Sequence, residues 1–195
     1  MENAEKTMTG EESFTVITEM INRTKVNINN SSFHLLFWGW LILACSLSEY
    51  ILWKFIGVSS PWYVWFFVIP GVFVSLIYGF RAGKRASFHT YADNIYVWTW
   101  MAFLIAAAVL FIISSGRMQF VAPLILTLAA IPTFLSGFII KFRPLIYGGL
   151  SFWIFALIAR FAGNEISALT VPLAMFTGYL LPGYMLKRKV DHEKI

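Results

Sequence analysis

The chain has 195 residues, of which 58% are hydrophobic and 13% are charged. An ordinary soluble domain has about 45–50% apolar and about 25% charged residues. Aromatic residues make up 18% of the chain, and they are enriched at the two interfaces of a bilayer. This composition excludes a soluble globular domain and predicts an integral membrane protein. The lone cysteine, Cys45, excludes an internal disulfide and a CxxC redox pair.

A polar tail over residues 1–32 precedes the apolar part of the chain. Thr9 and Glu12 have the spacing of a capping box, and apolar residues recur behind them at helical intervals, at Phe14, Ile17, Ile21 and Ile28. This pattern predicts an amphipathic helix over about residues 10–26. Two interpretations stay open: its apolar stripe packs on the chain's own bundle or in the membrane interface, or it docks a protein partner.

Six apolar runs follow, and each is close to the roughly 20 residues that a helix needs to cross a bilayer. They cover residues 33–53, 62–80, 95–114, 120–140, 145–162 and 166–186. The connections are short, so consecutive helices should pack as antiparallel neighbours. We therefore expect an all-α, polytopic membrane protein, a bundle of six transmembrane helices over residues 33–186. A cytoplasmic amphipathic helix precedes the bundle, and a basic tail over 187–195 follows it.

The basic residues predict the orientation of this bundle. Twelve of the 15 Lys and Arg residues lie in the two tails and in the second and fourth connections, whereas Lys54, Arg117 and Arg160 lie on the other side. Lys and Arg concentrate in cytoplasmic loops, so both termini are predicted to be cytoplasmic. Since the positive charge is spread over separate loops, the sequence does not favour nucleic-acid binding.

The second, fourth and sixth runs share a pair of small residues four positions apart, with an aromatic residue after the second. The pairs are Ser75 with Gly79, Thr133 with Gly137, and Ala174 with Gly178. Small residues at this spacing let helix backbones approach closely, so the pairs predict tight helix packing and leave a homo-oligomer open. The shared pattern also leaves open a repeated two-helix unit, although the third copy is shorter than the others.

Glu49 and Arg160 are the only charged residues inside the six runs. Each lies about 22–24 Å along its helix from the cytoplasmic end, so the two lie at one level and a mutual ion pair is predicted. Ser46 and Ser48 add hydroxyl groups nearby. In one interpretation they form an outward-facing polar site for a small ligand or ion; in the other, both charges reach the surface separately.

Motifs of catalysis and metal binding are not found in the sequence. The chain has no Gly-x-Ser-x-Gly elbow, no Walker A loop and no HExxH pair. His34, His89 and His192 fall on three separated segments without metal-ligand spacing. We therefore expect no catalytic residue, no metal site and no cofactor.

Four strings carry a resemblance to other proteins: HLLFWGW (34–40), YADNIYVWTW (91–100), PTFLSGFIIKFRPLIYGG (132–149) and PGYMLKRK (182–189). On these strings the chain resembles a family of small, uncharacterised bacterial integral membrane proteins with an amphipathic N-terminal helix and about six spans. The resemblance implies the fold and a location in a bacterial inner membrane, but it implies no activity, ligand or catalytic residue.

Two functions are compatible with these patterns. The first is a non-catalytic, partner-binding or regulatory membrane protein whose contact is the N-terminal helix. The second is a small transporter or ligand receptor that uses the region of Glu49 and Arg160. A continuous cavity leading from that region would favour transport, whereas a solidly packed bundle would favour the first function, because pathways need polar groups near the midplane.

Overall fold

The computed structural model describes residues 32–59, 61–85, 91–114 and 121–192. The amphipathic helix predicted over about 10–26 lies outside these residues, as does Arg117. Six segments are long and apolar enough to cross a membrane: Ser32–Ile56, Trp62–Gly79, Asn94–Ile113, Val121–Ile139, Arg143–Phe161 and Asn164–Lys189. Among the described residues there is no strand. The prediction of an all-α, multi-pass bundle with six spans is therefore confirmed.

The six segments are built from seven α-helices and three shorter helical turns. Helix α1 covers residues 32–51 and continues as a π-helical turn (Leu52–Ile56), and a 3-10 helix (Trp62–Phe67) leads into α2 (Val68–Arg85). The next three helices are α3 (Tyr91–Ile113), α4 (Val121–Ile139) and α5 (Arg143–Phe161). The sixth segment consists of α6 (Asn164–Met175), a π-helical turn (Phe176–Leu180) and α7 (Leu181–His192).

The bundle has two ends, which we call the tail side and the opposite side. Helices α1, α3 and α5 begin at the tail side, and α2, α4 and α7 end there. On the tail side, the connection between the second and third apolar runs is partly helical, because α2 continues to Arg85 and α3 begins at Tyr91. Both helices therefore extend beyond their apolar runs.

Helices α4 and α5 form the closest helix pair, and glycine makes the approach possible. A Cβ atom placed on Gly149 would lie 2.7 Å from the backbone nitrogen of Phe134, and one on Gly137 would lie 2.7 Å from that of Ile146. Real Cβ atoms do not come this close to backbone atoms. Any larger residue at either position would therefore push the two helices apart.

A tight turn joins α4 to α5. The backbone N–H of Phe142 donates to the carbonyl oxygen of Gly137 at 2.8 Å, and the N–H of Lys141 donates to that of Phe138 at 3.1 Å. This pattern is the Schellman motif, which places one residue in the left-handed region. That residue is Lys141, with φ 55°. Because the turn is so short, α4 and α5 lie antiparallel along their whole lengths.

The sixth segment packs on α5 through a second glycine contact. A Cβ atom on Gly148 would lie 2.8 Å from the carbonyl oxygen of Gly178, and one on Gly178 would overlap the ring of Phe152. Helix α1 packs on the same segment, since a Cβ atom on Gly39 would lie 2.8 Å from Cδ2 of Leu180. The centre of the bundle is therefore α4, α5 and the sixth segment, with α1 against it.

Helices α2 and α3 lie at the periphery. None of the residues in the most apolar part of Asn94–Ile113 is buried, and Ile112 and Ile113 are about three-quarters exposed. A soluble protein rarely exposes so large an apolar surface. The exposed side chains of α2 and α3 are those expected to face lipid.

We predict that replacement of Gly178 by alanine destabilises the bundle, whereas the same change at Gly79 does not. A Cβ atom at Gly178 overlaps Phe152, while one at Gly79 meets no described atom within 4 Å. Forcing an extra carbon into a packed interior costs about 1–3 kcal/mol, and alanine otherwise favours a helix over glycine.

The measurement is thermal unfolding of the two purified variants in detergent, followed by tryptophan fluorescence at one heating rate. G178A should lower the unfolding temperature, and G79A should leave it unchanged or raise it. Equal shifts in both variants would contradict the close packing of Gly178.

Candidate functional site

The opposite side of the bundle holds Glu49, one of the two charged residues that the sequence places inside the spans. Glu49 lies on α1 and is half-buried, and its Oε2 atom accepts a hydrogen bond of 2.8 Å from Nε1 of Trp65. Trp65 belongs to the 3-10 helix that precedes α2. A hydrogen bond to a buried carboxylate offsets part of its desolvation. Trp65 is not predicted from the sequence, although Glu49 and Trp65 lie close to the two ends of the α1–α2 connection.

A second polar contact at this side joins Lys54 to Glu165. The Lys54 ammonium donates to a carboxylate oxygen of Glu165, and it thereby links the end of α1 to the start of α6. The two side chains are 40% and 63% exposed. Exposed ion pairs of this kind contribute about 0–1 kcal/mol, so this contact orients the two helix ends more than it stabilises them.

The remaining predicted polar residues occupy different environments. Arg160 is exposed near the end of α5, and its guanidinium carbon is 5.7 Å from the ring centre of Phe161. The hydroxyl of buried Ser46 donates to the carbonyl oxygen of Leu43 in its own helix at 3.1 Å, whereas Ser48 is exposed. The ion pair between Glu49 and Arg160 stays a prediction.

The tail side has a polar cluster between α1 and α2. Oγ of Ser75 accepts a hydrogen bond of 3.3 Å from Nε1 of Trp38 and lies 3.0 Å from Nδ1 of His34. Because an indole N–H only donates, the Ser75 hydroxyl proton is free to be donated to His34. The ring of Tyr78 lies edge-on to His34, with 5.5 Å between ring centres. Ser75, predicted as a packing residue, is therefore also the centre of this cluster.

A buried polar network joins α3, α4 and the sixth segment. The hydroxyl of Thr133 donates to the carbonyl oxygen of Ala129 at 2.7 Å and lies 3.3 Å from the hydroxyl of Tyr179. One turn further along α4, Oγ of Ser136 accepts from Nε1 of Trp100 at 3.3 Å. Satisfied networks in a low-dielectric interior fix the rotation of the helices that carry them. We interpret this network as structural.

The predicted packing residues of α4 and the sixth segment are all buried: Thr133, Gly137, Ala174 and Gly178. Gly79 is exposed and meets no described atom within 4 Å, so its role in helix packing stays a prediction. Helix α2 instead approaches α1 through buried Gly71, where a Cβ atom would overlap the side chain of Leu41. The small-residue spacing alone does not show which glycine of a helix faces its neighbour.

A cavity of about 690 Å³ opens on the tail side between α1, α2 and α7. We call it the tail-side groove; its walls include Phe33, Leu36, Phe37 and Trp40 of α1, Tyr78 of α2 and Lys187 of α7. The walls are thus aromatic and aliphatic, with one cation. Glu49 lies twelve residues beyond Phe37, or about 18 Å along the helix, and does not line this groove.

Within the described part of the chain, no group of three or more His, Cys, Asp or Glu side chains could hold a metal ion. Comparisons with protein-family models, with curated proteins and with solved structures find no match. By its fold, the chain is an all-α, multi-pass membrane protein. The resemblance to a bacterial family stays an expectation of the sequence.

We predict that Glu49 and Trp65 stabilise the protein as a pair. Glu49→Gln and Trp65→Phe each weaken the hydrogen bond at the α1–α2 connection, so the double variant should be less destabilised than the sum of the two single variants. Interaction energies of contacting residues are about 0.5–3 kcal/mol in such cycles, and we expect the lower end because both side chains are half-exposed.

The same thermal unfolding measurement also tests the pair of Glu49 with Arg160. If these two residues interact, Glu49→Gln and Arg160→Gln should be non-additive as well. Additive effects of Glu49→Gln and Arg160→Gln would exclude the ion pair. Additive effects of Glu49→Gln and Trp65→Phe would exclude a contribution from the Trp65 hydrogen bond.

Proposed function

We propose that the chain is a non-catalytic, partner-binding or regulatory protein of a bacterial inner membrane, with both termini in the cytoplasm. The orientation is supported by the twelve Lys and Arg residues of the tails and of the second and fourth connections, because such residues mark cytoplasmic loops. The tail side of the bundle is then the cytoplasmic side, and the tail-side groove opens there.

The observation that carries this proposal is the separation of the groove from the charged residues of the opposite side. The bundle is closely packed: Gly148 meets Gly178 in the core, and α2 meets α1 where Gly71 faces Leu41. A transport pathway needs polar groups near the midplane and a route between the two sides. Close helix contact favours a protein that binds at one surface over one that transports a solute.

The partner contact is assigned to the predicted amphipathic helix over about 10–26, on the side where the groove opens. Amphipathic helices bind partners by laying an apolar stripe into a groove. Phe14, Ile17 and Ile21 provide such a stripe. A regulatory role fits a short helical arm joined to a compact bundle, because the arm can bind without a rearrangement of the packed helices.

The second candidate function is a small transporter or a ligand receptor at the opposite side. It is supported by the charged residues at this end, which include Glu49, Lys54, Arg160 and Glu165. Opposite charges at one end could recognise a zwitterionic or anionic solute. Charge-neutral variants of Glu49 and Arg160 that lose uptake or binding of such a solute would favour this function.

The proposed orientation predicts which engineered cysteines an impermeant maleimide reaches from outside. In a Cys45→Ala background, a cysteine at Ser59 on the opposite side should be labelled in intact cells. A cysteine at Lys189 on the tail side should be labelled only after the membrane is opened. The reverse pattern would contradict cytoplasmic termini.

Partner binding predicts crosslinked complexes that depend on the tail. Crosslinking in native membranes, followed by mass spectrometry of the purified chain, should give at least one partner protein that is lost when residues 1–31 are removed. The matched control replaces Phe14, Ile17 and Ile21 by serine in the full-length chain, which removes the apolar stripe and keeps the length. Partners that persist in both variants would contradict the assignment of the contact to this segment.

A further inference from the structure

The tail-side groove is an apolar surface with one positive charge. The imidazole of His34 beside it is already hydrogen-bonded to Ser75, and the indole N–H of Trp40 on its wall donates to the hydroxyl of Tyr184 at 3.1 Å. The exposed side chain of Lys187 is the cation of the lining. An occupant that fits needs an apolar face and a negative charge at its edge.

From these features we propose that the groove binds the chain's own segment 10–26, with the apolar stripe of that segment on the aromatic wall and its glutamates toward Lys187. The stripe consists of Phe14, Ile17 and Ile21, and Glu11, Glu12 and Glu19 lie on other faces of the same predicted helix. The proposal goes beyond the function above, because it concerns the chain alone and holds whether or not a partner exists.

The connection to the bundle is long enough for this docking. The five residues 27–31 link the segment to Ser32 and span at most about 18 Å when extended. The segment itself would be about 25 Å long as a helix. Ser32 lines the groove and is only 3% exposed, so α1 begins at the groove.

A tethered occupant is favoured over a free one. A short flexible link gives an effective concentration in the millimolar range. A contact with a dissociation constant of about 100 µM would then be occupied about nine-tenths of the time. A free protein or a second copy of this chain at micromolar concentration would need a much higher affinity to displace the segment. A partner that binds segment 10–26 must therefore compete with the groove.

Disulfide crosslinking tests the docking directly. In full-length protein with Cys45→Ala, the pair I17C and W40C should crosslink within one chain under mild oxidation. The first matched control is E19C with W40C, which uses the polar face of the segment. The second is I17C with F55C, which places one cysteine in the turn after α1, at the opposite side of the bundle. Both controls should crosslink at least tenfold more slowly.

Limited trypsin digestion gives a second readout that leaves Trp40 intact. Docking should protect Arg23 and Lys25 from cleavage, and Lys187→Glu should raise the cleavage rate there about threefold to fivefold, as expected for a lost ion pair. Lys189→Glu makes the same charge change on the same helix, outside the lining of the groove, and should leave the rate unchanged.

The other occupants have distinct outcomes, and each would overturn the proposal. Crosslinks between chains instead of within one chain would identify a second copy. A phospholipid that remains bound in native mass spectrometry and is lost in K187E, with no crosslink of I17C, would identify a lipid. Equal crosslinking of I17C and E19C, or equal cleavage in K187E and K189E, would show that the segment has no fixed position.

Discussion

The packing of the bundle depends on a contact between backbone atoms, where Gly148 of α5 faces Gly178 of the sixth segment. Lipid tails are as apolar as leucine, so helices in a bilayer gain nothing from apolar burial alone and depend on dispersion contacts and hydrogen bonds. The energy of dispersion contacts falls off steeply with distance. Without a glycine at each position, Tyr179 would move away from Thr133 and Leu180 would move away from Gly39. Helix α1 would then lose its contact with the sixth segment.

Polar groups are distributed unequally between the two sides of this framework. The tail side combines the cluster of Ser75 with the groove, and its hydrogen bonds are made between neutral side chains. The opposite side has the charged groups, with Glu49 and the ion pair of Lys54 held near the surface. The neutral cluster on the tail side suits a binding surface, because it holds α1 and α2 in place beside the groove. The charged groups of the opposite side connect helix ends near the surface and do not form a path through the core.

The sequence predicts much of the fold, because the number of spans depends only on local apolar length. The particular neighbours depend on how each helix is rotated and tilted. Glu49 is conspicuous in the sequence because it is charged, yet its partner Trp65 is one of 8 tryptophans. The same limit applies to α2, where the small-residue spacing selects Gly79 while Gly71 is the glycine that contacts α1. The polar network of Tyr179 could not be predicted for this reason either, since its members lie on three different segments.

The π-helical turn Phe176–Leu180 has a consequence for the whole sixth segment. Three of its five residues, Gly178, Tyr179 and Leu180, are buried, and they face α5, α4 and α1 respectively. A π-helical turn holds one residue more than an α-helical turn over nearly the same rotation, so α6 and α7 keep nearly the phase of one continuous helix. The extra residue thus lets three consecutive residues contact three different helices. Deletion of one residue here would restore a regular helix with little rotation of α7, but one of these three contacts would be lost.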